Sequence, residues 1–233
     1  MRVLVVTAVA AEAAAVIAEA DTVADADAST DVPLPGGYVL TRTPAYDVLV
    51  GGVGPAAAAA ATATALAVAD APYGLVVSAG IGGGFPPHAP VGSLVVSDSV
   101  VAADLGAETP DGYLPVDALG FGRTVHPSPA GLSALVAETV GAVHAPVLTV
   151  STVTGSTARA AELAARHPRA AAEAMEGFGV AEAAAAHGVP VVEIRAVSNA
   201  VGPRDRAAWR IGDALAALRR AFHQLVPVLQ EQP

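Results

Sequence analysis

The sequence contains no cysteine and no lysine, and aromatic side chains make up only 4% of its 233 residues. Without cysteine, the protein can form neither a disulfide nor a zinc–thiolate site, and it has no thiolate nucleophile. The 12 basic residues are all arginine and are outnumbered by 22 acidic residues, which gives a net charge of −10. Because nucleic-acid binding requires basic clusters that neutralise phosphates, we expect no nucleic-acid partner.

Long apolar runs are also absent. No stretch of about 18 strongly apolar residues occurs, so we expect no membrane-spanning segment. The apolar N-terminal run is interrupted by Glu12 and lacks the cleavage context of a signal peptide. The six histidines are scattered, without an HxH or HxxxH pair, so we expect no metal site, and we expect no cofactor. A cysteine-free chain fits a reducing compartment, and we therefore expect a cytoplasmic protein.

Alanine, in contrast, supplies 56 of the residues, and hydrophobic types together supply 53%. This proportion is sufficient for a large core, and we expect a single domain over residues 1–233 because no linker or repeat is visible. Short β-branched runs alternate with alanine-rich runs, which predicts an α/β fold with a central mixed β-sheet flanked by helices. The predicted strands are Arg2–Val6, Tyr38–Thr43, Tyr46–Gly51, Leu75–Ser78, Leu94–Ala102, Val147–Ser151 and Val189–Ser198. The predicted helices are Ala10–Ala20, Pro55–Ala69, Gly131–Val140, Ala158–Arg166, Gly177–His187 and Ala207–Leu229; Ala170–Met175 is ambiguous, and Asp21–Gly37 is the least structured segment.

Functional residues in such folds lie at the carboxyl ends of strands. The segments that we therefore expect to form a site are those that follow Val6, Val50, Ser78, Thr149, Met175 and Val197. One of them, Gly52–Ala57, matches the GxGxxA turn of dinucleotide-binding proteins. No acidic residue ends the next strand, where a nicotinamide site requires one, so we favour a plain strand-to-helix turn.

The segment Ser78–Gly84 is rich in glycine and other small residues. Such a run lets a ligand approach the backbone closely, although it can equally form a tight turn without a ligand. No Lys-Ser or Lys-Thr pair follows, so the run is not a phosphate-binding P-loop.

Acidic residues stand close to the predicted strand ends. Glu176 lies between a strand of small residues and a glycine-bearing turn, where it is either a ligand-binding carboxylate or a solvated loop residue. Glu12 stands at a helix start, a position where an acidic residue also favours the helix dipole. Within the strand that ends near Asn199, Glu193 and Arg195 favour a structural ion pair.

The order of these features resembles the nucleoside phosphorylase and nucleosidase superfamily, in particular the hydrolases that act on methylthioadenosine and adenosylhomocysteine. The resemblance covers nearly the whole chain. Its landmarks are Val5–Ala8 with Glu12, Leu49–Pro55, Ala79–Gly83, Val91–Asp98, Ala174–Glu176 and Val192–Asn199. Within the superfamily, the sequence resembles the members that cleave futalosine in the alternative menaquinone pathway. The stretches that carry this resemblance are Asp104–Thr109, Leu114–Asp117 and Ser198–Trp209.

The resemblance implies hydrolysis of the N-glycosidic bond of futalosine with release of hypoxanthine. It implies that Glu12 activates the attacking water and that Glu176, beside Met175, binds the 2′ and 3′ hydroxyls of the ribose. The family's hydrolases form dimers, so we expect a homodimer with a partner loop near the 5′ end of the substrate pocket. The other substrate contacts that the resemblance implies are Ile81, Gly82, Thr152 and Val153, of which the last two are matched only to about one residue.

One position departs from the adenosine-cleaving relatives, which have an aspartate where this sequence has Asn199. An aspartic acid can donate to N7 of a 6-aminopurine and accept from its amino group. A 6-oxopurine presents two acceptors, N7 and O6, to which the side-chain NH2 of Asn199 can donate. A mismatched buried polar pair costs about 1–3 kcal/mol, so Asn199 favours hypoxanthine over adenine. Unlike an aspartic acid, it cannot give a full proton to the leaving base.

Phosphorolytic relatives need arginines around a phosphate ion. The segment Thr7–Ala15 contains no basic residue, and Ala79–Pro90 contains only His88, so the sequence favours hydrolysis. Two alternatives stay open. The first is a nucleosidase or phosphorylase for another purine nucleoside, such as inosine or methylthioadenosine, and the second is a nucleoside-binding protein without catalysis.

Futalosine ends in a benzoate. Because arginine binds carboxylates strongly, we expect an arginine near the 5′ end of the pocket. Arg204 and Arg206 are the nearest basic residues beyond Asn199 in the sequence. The alternative for both arginines is a surface ion pair with Asp205.

Overall fold

Branched apolar residues form the strands and alanine-rich segments form the helices, as their side-chain preferences predict. The computed structural model describes residues 2–20 and 29–231. Its strands are β1 (Val3–Thr7), β2 (Thr30–Pro33), β3 (Val39–Arg42), β4 (Asp47–Val50), β5 (Leu75–Gly84), β6 (Leu94–Ala102), β7 (Gly106–Thr109), β8 (Gly112–Pro115), β9 (Val125–Pro127), β10 (Val143–Thr149), β11 (Ala172–Ala174) and β12 (Val191–Ala200). Its helices are α1 (Ala10–Ala20), α2 (Pro55–Ala67), α3 (Ala130–Val140), α4 (Thr157–Arg166), α5 (Gly177–Ala186) and α6 (Ile211–Glu231), with 3₁₀ turns at Pro35–Gly37 and Arg206–Ala208.

The central sheet has the strand order β11-β10-β6-β12-β5-β1-β4-β3-β2, with β9 beside β6. Some pairs are parallel, such as β1 with β5, and others are antiparallel, such as β12 with β6. Because β11 pairs with β5 as well as with β10, the strands β5, β12, β6, β10 and β11 form a closed ring. The prediction of an α/β fold with a central mixed sheet is confirmed.

Helices cover both faces of the sheet. In β1, Val3 and Val5 belong to one apolar cluster with Phe222 of α6, whereas Leu4 belongs to a second cluster with Phe178 of α5. Side chains of α1 and α3 join the first cluster, and side chains of α2 join the second. Alternate side chains of a strand point to opposite faces, so a strand between two helical layers requires a continuous apolar run. The sequence of β1 meets this requirement.

The structure corrects several predicted boundaries. β5 continues beyond its predicted end at Ser78 to Gly84, so the glycine run is part of a strand and is not a tight turn. The ambiguous segment contains strand β11. The last helix begins at Ile211 and not at Ala207, because the side chain of Asp205 accepts a hydrogen bond from the N–H of Ala207 and caps a separate 3₁₀ turn.

The strands β2, β7, β8 and β9 were not predicted. They are only three or four residues long and largely exposed, so they lack the apolar run or the clear alternation that identifies a strand. β2 lies in the segment that the sequence marked as least structured, of which residues 21–28 lie outside the described ranges. None of the described helices, α6 included, combines the length and the apolarity needed to cross a bilayer.

Helices α2 and α5 approach each other closely at Gly179. A Cβ atom added at Gly179 would lie 1.9 Å from the carbonyl oxygen of Pro55, the first residue of α2. Backbone cannot yield as a flexible side chain can, so this contact requires glycine.

We predict that Gly179→Ala pushes α2 and α5 apart and lowers the free energy of unfolding by about 1–3 kcal/mol, as overpacking does. Urea denaturation measures the loss. The control is Gly131→Ala on α3, where an added Cβ meets no atom within 4 Å. This change should raise the free energy of unfolding by about 0.5–1 kcal/mol. Equal stability of the two variants would contradict the close packing of the helices.

Candidate active site

One cavity of about 250 Å³ receives residues from all six segments that the sequence predicts for the site. The strands β1, β4, β5 and β12 run parallel, so their carboxyl ends share one edge, and β11 joins this edge because it closes the ring against β5. The wall includes Glu12 after β1, Val53 after β4, Ile81 in β5, Thr154 after β10, Glu176 after β11 and Asn199 in β12.

Glu12 lies in the first turn of α1 and is only 4% exposed. Its Oε2 accepts hydrogen bonds from the N–H groups of Ala8 (3.0 Å) and Val9 (3.3 Å). Its Oε1 accepts one from the N–H of Ile81 (2.9 Å). Oε1 thus has one donor within the described residues and keeps a lone pair for a second donor, such as water. The side chain of Glu12 therefore connects the loop after β1 to β5. This role is additional to a favourable interaction with the dipole of α1.

Glu176 immediately precedes α5, but its side chain does not cap that helix. Oε1 accepts a hydrogen bond from the N–H of Gly54 (3.2 Å), and Oε2 accepts one from the N–H of Met175 (3.3 Å). The residue is 7% exposed and lines the cavity, so it is not a solvated loop glutamate. The N–H of Gly54, in the GxGxxA segment, is directed at this carboxylate.

Arg195 on β12 is 1% exposed and holds the acidic groups together. Its Nε donates to Oε1 of Glu193 at 2.8 Å, and its Nη2 lies 3.3 Å from Oε2 of Glu176. A Cβ atom added at Gly80 would lie 2.5 Å from Nη1 of Arg195 and 2.5 Å from Oε1 of Glu12, so Glu12 also lies beside the guanidinium. The predicted ion pair of Glu193 with Arg195 is confirmed, and Arg195 also forms an ion pair with Glu176 on the cavity wall.

Burial and charge act against each other in this network. Desolvation would lower the pKa of Arg195, but the carboxylates of Glu193, Glu176 and Glu12 raise it overall. Desolvation raises the pKa of Glu193, and the charge and hydrogen bond of Arg195 oppose that rise. A Cβ atom added at Gly177, the first residue of α5, would lie 2.0 Å from Oε2 of Glu193. The glycine therefore allows a carboxylate to approach a helix N-terminus, where negative charge is favoured.

Asn199 follows a β-bulge between Val197 and Asn199 in the pairing of β12 with β5. The hydroxyl of Ser198 donates to Oδ1 of Asn199 at 2.8 Å, and Nδ2 of Asn199 donates to the carbonyl oxygen of Ala200 at 3.0 Å. One N–H of the amide is therefore already used. The expectation that Asn199 offers two donors to a base is corrected to one.

Most of the predicted site residues lie on the cavity wall. Those that line it are Glu12, Ile81, Gly82, Val153, Met175, Glu176, Asn199 and Arg204. Thr152 is exposed and outside the wall, and Val153 and Thr154 line it instead. This offset of one residue is within the accuracy of the sequence match.

The two candidate arginines beyond Asn199 differ in position. Arg204 lines the cavity, with its guanidinium carbon 5.4 Å from the ring centre of Trp209. Arg206 stacks on the same ring at 5.8 Å but does not line the cavity. Asp205 accepts a hydrogen bond from the N–H of Ala207 at 3.1 Å, and no ion pair joins it to either arginine in the described part of the chain.

Glu173 and Trp209 are among the wall residues that sequence reasoning missed. Glu173 is 5% exposed and belongs to β11, a strand that periodicity left ambiguous. An acidic residue flanked by alanines in a short buried run was the available signal. Trp209 carried no signal beyond its place in the stretch that resembles the superfamily.

A larger cavity, of about 500 Å³, lies elsewhere on the protein. Its described lining includes Arg166, His167 and Arg169 but no carboxylate, so it offers no general base of the kind that Glu12 provides. Across residues 2–20 and 29–231, no group of three His, Asp or Glu side chains is arranged to hold a metal ion.

The sequence and the fold both match known proteins. Residues 2–228 match the family model of the phosphorylase superfamily. The chain belongs to this superfamily. It is 63% identical over 224 residues to the futalosine hydrolase of Streptomyces coelicolor, covering 94% of this chain and 95% of that protein. It is 48% identical over 228 residues to the futalosine hydrolase of Acidothermus cellulolyticus, covering 95% and 89% of the two chains.

The superfamily fold is also found in solved structures. The native futalosine hydrolase of Helicobacter pylori superimposes with a TM-score of 0.81 over 98% of each chain, at 17% sequence identity. At this identity the likeness concerns the fold. The resemblance to the superfamily that the sequence predicts is confirmed.

The network around Arg195 leads to a stability prediction. Arg195→Met leaves the buried carboxylate of Glu193 without its cation, and we expect a loss of about 3–5 kcal/mol in the free energy of unfolding. The control is Arg169→Met. The side chain of Arg169 pairs with Asp98 but is 70% exposed, so the loss in the free energy of unfolding should stay below about 1 kcal/mol. Urea denaturation at pH 8 measures both.

The loss in Arg195→Met should shrink at acidic pH. Burial raises the pKa of Glu193, and in the wild type the charge and hydrogen bond of Arg195 oppose this rise. The Arg195→Met variant loses that opposition, so the pKa of Glu193 rises further. The folded variant then prefers the protonated carboxyl, so its stability is greatest below the unfolded pKa of about 4.3 and falls as the pH rises. The stability gap between variant and wild type should be narrower at pH 5 than at pH 8, and a gap independent of pH would contradict this account.

Proposed function

We propose that this protein is a hydrolase that cleaves the N-glycosidic bond of futalosine, releasing hypoxanthine and dehypoxanthinylfutalosine in menaquinone biosynthesis. The name of its relative at 63% identity, futalosine hydrolase, supports the substrate. The observation that carries the chemistry is that Glu12, Glu176 and Asn199 line one cavity. In this proposal Glu12 activates the water, Glu176 binds the ribose and Asn199 binds the base.

Glu12 acts as the general base. Its carboxylate is held by three backbone N–H groups, so it is oriented before the substrate binds. It takes a proton from the water that attacks the anomeric carbon, a step that typically contributes about 10²–10⁴ in rate.

Glu176 binds the 2′ and 3′ hydroxyls of the ribose. Positive charge develops on the sugar ring as the glycosidic bond breaks, so this carboxylate stabilises the transition state more than the ground state. The nearby Arg195, 3.3 Å from Oε2, and the N–H of Gly54, 3.2 Å from Oε1, fix its position.

Asn199 stabilises the departing base by a hydrogen bond. The hydroxyl of Ser198 fixes Oδ1 of the amide, so the free N–H of Nδ2 is available to N7 or O6 of the purine. As an amide it delivers no proton, and the base therefore leaves either as a hydrogen-bonded anion or with a proton from water.

Water is the nucleophile in this proposal, and phosphate is not. Arg204 is the single basic side chain among the described residues of the cavity wall. Arg195 is already paired with Glu193 and Glu176. A phosphate ion beside Glu12 would therefore lack the arginines that phosphorolysis requires.

The proposal includes a homodimer in the cytoplasm. The segment between β6 and β9 exposes Leu105 by 44%, Leu114 by 42% and Phe121 by 68%. The carbonyl oxygen of Leu105 accepts a hydrogen bond from the N–H of Val116, and that of Val116 accepts one from the N–H of Phe121, so these side chains belong to one segment that folds back on itself. Exposed apolar side chains that are grouped in space are typical of an interface, and they support the dimer that the superfamily resemblance implies. The lack of cysteine supports a reducing compartment.

The function is tested with four substrates: futalosine, its 6-amino analogue, inosine and methylthioadenosine. We expect the highest kcat/KM for futalosine, measured by chromatography of the released base. Glu12→Gln should lose about 10²–10⁴ in rate and still bind hypoxanthine, whereas Glu138→Gln on the exposed side of α3 should match the wild type. Faster cleavage of inosine or methylthioadenosine would replace the proposed substrate, and hypoxanthine binding without any cleavage would indicate a binding protein.

The 5′ tail gives a separate prediction. Because Arg204 lines the cavity and Arg206 does not, Arg204→Ala should raise KM for futalosine about ten- to hundredfold, the cost of one charged hydrogen bond. Its kinetics on inosine, which has no benzoate, should not change. Arg206→Ala is the matched control and should resemble the wild type on both substrates. Equal effects of Arg204→Ala on the two substrates would place the benzoate elsewhere.

A further inference from the structure

The loop between β10 and α4 forms part of the cavity wall, through Val153 and Thr154. The superfamily resemblance assigns this part of the chain to substrate binding. Ser151, Thr152 and Val153 are nevertheless exposed, Val153 by 39%. Exposed side chains bury little apolar surface, so their packing contributes little to holding the loop in one position.

The backbone of this loop is instead held by two carboxylates. Oδ2 of Asp104 accepts a hydrogen bond from the N–H of Ser151 at 2.7 Å. Oε1 of Glu173 accepts one from the N–H of Thr154 at 2.8 Å. Val153 lies between these two anchors, so each carboxylate fixes one end of the short span of backbone that borders the cavity.

Asp104 reaches the loop because the pairing of β6 with β10 continues beyond both strands. Ala102 pairs with Thr149 at the last position of each strand, and the N–H of Ala103 donates to the carbonyl oxygen of Thr149 at 2.9 Å. The second residue after each strand, Asp104 in one case and Ser151 in the other, then lie side by side. The contact is therefore positioned by the sheet, which is a more rigid support than a loop.

Asp104 has no place in the proposed mechanism. It is partly buried and is not among the residues that line the cavity, so its effect on a bound substrate has to pass through Ser151. A hydrogen bond that a backbone N–H donates to a carboxylate is stronger than one to a neutral acceptor, which makes this contact an effective anchor for the loop.

The two proposed catalytic carboxylates are held independently of this loop. Backbone N–H groups of the segment after β1 and of β5 donate to Glu12. The N–H groups of Gly54 and Met175 donate to Glu176. A displacement of the loop would therefore alter the contacts to the base and leave in place the groups that act on the water and the ribose.

We propose that Asp104 is a positioning residue that holds the N–H of Ser151, sets the position of backbone 152–154 against the purine base and so determines the affinity for the base. The inference rests on the proposed function, since it concerns the base end of the same cavity. The base is bound both in the ground state and in the transition state, so loss of the anchor should raise KM and change kcat little. Nucleosides with the same base should be affected equally.

Variants of Asp104 test this role. Asp104→Ala removes the acceptor, and we expect about tenfold weaker binding of hypoxanthine in calorimetry and about tenfold higher KM for both futalosine and inosine, the effect of one hydrogen bond. The value of kcat should stay within about twofold of the wild type. Asp104→Asn keeps an acceptor oxygen and should restore most of the affinity. The matched control is Asp117→Ala, which removes an exposed carboxylate that binds the neighbouring N–H of Ala118, and it should behave as the wild type.

Two results would overturn the inference. One is a folded Asp104→Ala variant with a lower Tm but the hypoxanthine affinity and KM of the wild type, as expected of a carboxylate with a structural role alone. The other is a wild type in which the N–H of Ser151 exchanges with deuterium as fast as in an unstructured peptide. NMR measures this exchange, and the measurement requires no variant to fold.

The calorimetry is repeated with adenine, so that the role of Asp104 is tested whichever purine the cavity binds. An Asp104→Ala variant that binds either base less tightly, in a protein that does not cleave futalosine, would reject the proposed function alone. A protein that cleaves futalosine with the same KM in Asp104→Ala as in the wild type would reject this inference alone.

Discussion

The buried guanidinium of Arg195 is the constraint on which the cavity depends. A charge that is 1% exposed needs partners. The buried carboxylates of Glu193 and Glu176 lie 2.8 Å and 3.3 Å from the guanidinium and supply them. The proposed ribose-binding carboxylate is therefore fixed by the requirement to neutralise a core charge. Gly80 and Gly177 complete this arrangement, since a Cβ atom at either position would collide with Arg195 or Glu193.

Close packing also explains the glycines of β5. A Cβ atom at Gly84 would lie 2.1 Å from the carbonyl oxygen of Ala89, and one at Gly82 would lie 2.8 Å from that of Glu173. Gly82 thus allows β11 to approach β5 and close the ring, and Gly84 leaves room for the segment that follows β5. The part of the cavity wall that β11 supplies is consequently a paired strand, which is held more rigidly than a loop.

Local sequence patterns correctly predicted those features of the fold that depend on residues close together in the chain. The apolar run of β1, the helix α1 and the strand β6 follow from periodicity. The rule that sites lie at strand ends correctly located six segments of the cavity wall. What escaped prediction depends on distant contacts. The pairing of β11 with β5 brings Glu173 to the wall, and the bond from Nδ2 of Asn199 to Ala200 uses one amide donor; neither can be inferred from sequence spacing. Arg204 and Arg206 looked equivalent in the sequence, and only the fold places Arg204 alone on the cavity. The sequence-based prediction of one domain over residues 1–233 stays a prediction for the residues outside the described ranges.

In this protein the buried arginine of the cavity is already neutralised, and we propose that water activated by Glu12 breaks the glycosidic bond. The most direct measurement is hypoxanthine release from futalosine in buffers with and without inorganic phosphate, with mass spectrometry of the sugar product. We predict the same rate in both buffers and a free sugar as the product. A rate that rises with phosphate concentration, together with a sugar 1-phosphate, would contradict it.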